Sequence, residues 1–134
     1  MTVVVIFFAM VVLVAGLLGH ARLKKRLRHY YDRRCTGCEW RKRFPEAKKG
    51  EIRDFLALFA DTFDLDPKKR LSFSPEDKIM DIYRTIYPDP HTPDGLECEE
   101  MVANCEERYG IDITKSCGDA PTLGDIFSAT RNRA

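Results

Sequence analysis

Histidine is scarce in this chain, and charge is missing from its beginning. Only three histidines occur, His20, His29 and His91. None stands in a His-x-x-x-His spacing or a Ser/His/Asp grouping, and there is no glycine-rich phosphate loop. With those signals absent, the sequence offers no catalytic residue and reads as a non-enzyme. No stretch sustains the period-two alternation of a β-strand, which points to an all-α fold. A second long apolar run is lacking too, which excludes a polytopic transporter. The five cysteines lack the dense spacing of a secreted disulfide scaffold and are expected to be mostly reduced. A hydrophobic content of 44% in turn excludes a disordered chain.

What is present begins with the uncharged stretch 1–21. Every residue from Val3 to Leu18 is apolar or glycine, and the first charge is Arg22. Thr2 to Ala21 as a helix would extend ~30 Å at about 1.5 Å per residue, the thickness of a bilayer's hydrocarbon core. Residues 1–21 are therefore read as a single transmembrane anchor. A cleavable signal peptide is the rival reading, with Gly19-His20-Ala21 as its small-residue site, but Met1-Thr2 supplies no positively charged leader.

Residues 22–49 form a basic collar of twelve Lys/Arg against Asp32, Glu39 and Glu46, a net of +9, read as a juxtamembrane linker. Residues 50–134 carry ten basic and eighteen acidic side chains, a net of −8. The collar follows the apolar run directly. Because basic residues are retained in the cytoplasm, this predicts a cytoplasmic C-terminal domain. The same side chains suit anionic lipid head groups. Nucleic-acid binding competes for such a run, but its place beside a membrane span favours the topogenic role. Within the collar, Cys35 and Cys38 form one C-x-x-C pair, half of a tetrahedral zinc site or a redox pair. No second pair completes it, His29 is the one extra ligand nearby, and no strand leads into the motif. No metal is assigned. An incidental pair, or a lipidation site, is the plainer alternative.

Four segments of the acidic domain carry helical periodicity. Glu46–Phe63 places Ile52, Phe55, Leu56, Leu58, Phe59 and Phe63 on one broad face behind Pro45. Ser74 is a predicted N-cap with Pro75 in the first turn of a helix running to Tyr87. A third helix from Asp94 carries Cys98, Met101, Val102, Cys105 and Tyr109 at helical spacing and ends at Gly110. Cys98 and Cys105 are expected as small core residues. A fourth begins at Thr122, whose side chain can cap the turn through Asp125. The expectation is a small four-helix bundle.

The run Asp94-Gly95-Leu96-Glu97-Cys98-Glu99-Glu100-Met101-Val102, continuing through Glu106-Glu107-Arg108-Tyr109-Gly110-Ile111-Asp112-Ile113, resembles the second helix of acyl carrier proteins. Thr122-Leu123-Gly124-Asp125-Ile126 resembles the last helix of that family, and the likeness extends over about 51–128. In the family, the serine between Asp and Leu carries phosphopantetheine on its hydroxyl. Here that place is Gly95, which has no oxygen to modify, so the resemblance implies no cofactor on this chain. Thr92 and Ser74 have hydroxyls but lie outside the motif. The stretch from Ser72 to Pro93, with its additional helix, is longer than the family's connection.

What the resemblance still implies is a docking surface. Asp94, Glu97, Glu99, Glu100, Glu106 and Glu107 would meet a protein partner bearing a basic patch, such as an enzyme of lipid or polyketide metabolism. The plain alternative is the solvated face of an amphipathic helix. Two further readings stay open: a working carrier modified at an unusual residue, and a C-x-x-C redox or zinc membrane protein.

Overall fold

The computed structural model describes residues 1–91 and 95–132. Their regular elements are all helices, with no β-strand among them. The first helix, α1 (Thr2–Arg26), has no buried residue and is long and apolar enough, by length and composition, to cross a membrane. Its 25 residues extend ~37 Å. Lys24, Lys25 and Arg26 occupy its last turn, where cations suit the negative end of the helix dipole.

The chain then turns at Leu27, which is fully buried, into α2 (Arg28–Tyr31) and α3 (Gly37–Arg43). This stretch belongs to the core. Tyr30, Tyr31 and Trp40 are buried with Leu27, so the basic segment expected as a linker is packed against the domain that follows it. Its polar groups are also tied in. Thr36 Oγ1 lies 2.8 Å from the Leu71 carbonyl and 2.7 Å from the Phe73 carbonyl, and Trp40 Nε1–H donates to the same Phe73 oxygen at 2.9 Å. Glu39, Arg41 and Lys42 of α3 are exposed, Arg43 is half-buried, and Trp40 packs inward.

Helix α4 (Lys49–Thr62) supplies the broad apolar face expected of it, burying Ile52, Phe55, Leu56 and Phe59. A 3-10 helix (Pro67–Ser72), opened by Asp66 accepting from the Lys68 N–H at 3.0 Å, packs against α4. Trp40 touches Phe44, Phe55 and Phe127 at ring separations of 5.9, 6.2 and 5.7 Å, and Phe73 meets Phe59 at 5.3 Å.

Helix α5 is shorter than its sequence predicts. It spans Ile79–Ile86, and Ser74–Asp77 forms a turn in place of the expected first helical turn. The Asp77 carboxylate accepts from the Ser74 N–H at 2.7 Å, the bond of a helix start, but Arg33 clamps the same carboxylate at 2.7 Å and the backbone leaves the turn extended at Lys78. Lys78 then forms an isolated antiparallel bridge with Thr122, which ties the start of α5 to the start of the last helix.

Helix α6 (Leu96–Tyr109) packs against α4 and leads through Gly110 to the short α7 (Ile113–Ser116), capped by Asp112. α8 (Leu123–Asn132) closes the chain. The expected reciprocal cap is present at its start, with the Thr122 N–H donating to Asp125 Oδ2 at 3.0 Å and the Asp125 N–H to Thr122 Oγ1 at 3.1 Å. Arg43 binds Asp125 at 2.8 Å and Glu76 at 3.0 Å, joining α3, the 74–77 turn and α8. Gly124 fits beneath this guanidinium, where a Cβ would come within 2.8 Å of the Pro75 carbonyl. The acidic segment thus holds α4 to α8 and a 3-10 helix, where four helices are expected.

Candidate functional site

Helix α6 has two chemically opposed sides, set by its spacing. Met101 and Cys105 are fully buried, and Cys98, Val102 and Tyr109 pack half-buried against the same core. Burial pushes the Cys105 thiol up to about 11, and burial likewise raises Cys98, as suits core residues.

The opposite side is organised in rows. At about 100° per residue, positions seven apart nearly superpose along a helix. Leu96 and Ala103 therefore form a central apolar row, with Glu99 and Glu106 on one flank and Glu100 and Glu107 on the other. All six residues are exposed. Successive carboxylates along each flank are ~10 Å apart. No ion pair or hydrogen bond engages these four glutamates among the described residues. Arg108, the one cation of the helix, faces elsewhere, lining grooves with Asp54 on α4.

The remaining members of the expected acidic set behave differently. Glu97 is half-buried and accepts a hydrogen bond from the Tyr87 hydroxyl, which holds the end of α5 to the start of α6. That bond, more than burial, pushes the Tyr87 phenol up to about 12. Asp94 lies outside the described residues. Leu96 and Ala103 were not among the expected site residues, although the seven-residue spacing that aligns them is visible in the sequence. Leu96 is 63% exposed, an unusual position for a leucine in the folded part of the chain.

Gly95 is the N-cap of α6, with φ −74° and open space where a Cβ would be. Its backbone does not require glycine. A side chain at this position would meet open space. Gly110, at the other end, does use glycine's freedom: its φ of 66° is left-handed, and its N–H donates to the Glu106 carbonyl at 2.8 Å.

The C-x-x-C pair sits at the start of α3. Cys35 and Cys38 are both exposed free thiols, and Thr36 between them is anchored to the 3-10 helix. The described residues contain no group of three His, Cys, Asp or Glu side chains arranged to hold a metal. The His29 ring packs on Tyr30, with centroids 4.0 Å apart.

Comparison with known proteins returns no match to a protein-family model, a curated protein or a solved structure.

Proposed function

We propose that the chain is a single-pass, membrane-tethered docking module whose soluble part is an acyl-carrier-protein-like helical bundle without the prosthetic-group serine. The observation that carries the reading is the exposed side of α6, a Leu96–Ala103 row flanked by four carboxylates that are unpaired among the described residues. Such a surface is complementary to a protein bearing an apolar contact surrounded by Lys and Arg. Opposite charge would steer the encounter, and the apolar centre would supply contact area that water is driven from. The sequence resemblance favours a partner from lipid or polyketide metabolism. Helix α1 supports the tether, and the basic residues at its C-terminal end support a cytoplasmic domain. The reading assigns no catalytic residue and no cofactor.

The reading is tested by charge reversal. Glu106→Lys/Glu107→Lys, on an exposed helix face, should leave the fold intact while abolishing co-purification of the partner from solubilised membranes. Co-purification by the unaltered chain should weaken as salt rises. Equal recovery with both forms and at all salt concentrations would refute docking through α6.

A further inference from the structure

On another part of the surface, three cationic residues border one pocket, with no carboxylate among the described residues lining it. Arg41 on α3 and Lys49 and Arg53 on α4 line this small pocket of about 80 Å³, together with Cys35 and the apolar Ile52 and Leu71. The three cations are exposed and engage no hydrogen bond or ion pair among the described residues.

Lys49 and Arg53 are four apart on one helix, where like charges repel, and Arg41 adds a third positive charge from across the pocket. Glu39 accepts from Ser74 Oγ at 2.5 Å and Glu51 from the Lys48 N–H at 3.1 Å, and neither lines the pocket. Helix α4 also begins here, which adds the positive end of its dipole.

We infer that Arg41, Lys49 and Arg53 form a binding site for a phosphate monoester group. The choice of anion follows from charge and shape. A carboxylate or a phosphodiester carries one negative charge and would leave two cations uncompensated, whereas a phosphate monoester carries about −1.5 to −2 near neutral pH. Two guanidiniums present planar forks matched to phosphate oxygens, and Lys49 adds a point charge. The pocket takes a single tetrahedral group, and no aromatic side chain lines it to stack a nucleobase. The group is supplied either by a soluble phosphate or by a lipid of the phosphatidic acid type. This site is independent of the acidic side of α6.

The pocket contains its own reporter. Cys35 lies on the wall, whereas Cys38, also exposed, does not line it. The full chain in phosphatidylcholine nanodiscs, in phosphate-free buffer of fixed ionic strength, is labelled with maleimide, and the rates at the two cysteines are followed by peptide mass spectrometry.

Inorganic phosphate should slow Cys35 relative to Cys38. The free fraction falls to about one fifth at four times Kd, so Cys35 labelling should slow about fivefold there. Protection by phosphate identifies a soluble source. Protection only in discs doped with phosphatidic acid identifies a lipid head group. In either case Lys49→Ala/Arg53→Ala, two exposed side chains without partners among the described residues, should abolish the protection while the helical circular dichroism stays unchanged. The inference is overturned if neither phosphate source protects Cys35, if chloride at matched ionic strength protects it equally, or if the double variant retains protection.

Discussion

Replacing Trp40 with alanine tests whether the basic segment is part of the folded domain. The indole is fully buried between Phe44, Phe55 and Phe127 and donates to the Phe73 carbonyl at 2.9 Å. Removing a buried Trp side chain costs about 3–5 kcal/mol through lost transfer energy and the cavity left behind. Against a total stability of about 5–15 kcal/mol for a small domain, that is a large fraction. For a folded part of this size, the loss corresponds to a melting temperature roughly 12–25 °C lower. Trp40→Phe keeps much of the ring and loses the N–H donor, so its cost is smaller, about 1–3 kcal/mol. Thermal unfolding of the full chain in neutral detergent, followed by circular dichroism at 222 nm, measures both, with α1 contributing a constant helical baseline. A Trp40→Ala melting point within about 2 °C of the unaltered protein would refute the placement of this segment in the core.

Asp125 gives a pH-dependent test. The Thr122 N–H is the main reason its carboxyl is held below the ordinary range, with the Thr122 hydroxyl and Arg43 adding to it. The cap's contribution is therefore fully present above the unfolded carboxyl value near ~4 and is lost as pH falls through the lower folded value. Asp125→Ala should cost about 0.5–1 kcal/mol at pH 7, after allowance for solvent screening, and the gap to the unaltered protein should close below about pH 4 in denaturant melts. Cys105, fully buried and pushed up to about 11, should resist iodoacetamide at pH 8 while Cys35 and Cys38 react; unfolding in guanidinium should remove the difference.

The parts of the fold that were legible in the sequence are those where one strong local signal acts alone. The uncharged run before Arg22 defines α1, and the spacing of Met101 and Cys105 defines the buried side of α6. Thr122 and Asp125 mark the start of α8 through a bond pattern confined to one turn. The basic segment misled because its charge density masks the few apolar positions that matter. Leu27, Tyr30, Tyr31 and Trp40 are sparse among Lys and Arg, yet they fill the core while the long cationic side chains lie outside. Ser74–Asp77 misled for a different reason. Its residue types fit a helix N-terminus, but Arg33 and the bridge between Lys78 and Thr122 come from distant parts of the chain and hold it as a turn. Helix α7 spans only Ile113–Ser116, too short to register as a periodic pattern.

The candidate site was only partly legible. The exposed glutamates follow from their spacing opposite the core residues. That Glu97 turns toward Tyr87 depends on how the end of α5 packs beside the start of α6, a tertiary contact that local spacing does not specify. The pocket of Arg41, Lys49 and Arg53 depends on the packing of α3 beside α4, a contact that the linker reading of residues 22–49 had no reason to anticipate.

Photo-crosslinking from Ala103, at the centre of the exposed side of α6, addresses the proposed docking role most directly. A crosslinking amino acid placed there in the full-length chain, in intact membranes, should give one discrete protein adduct. That adduct should fade with rising salt and disappear in the Glu106→Lys/Glu107→Lys background. No adduct, or one indifferent to both salt and charge reversal, would contradict the account.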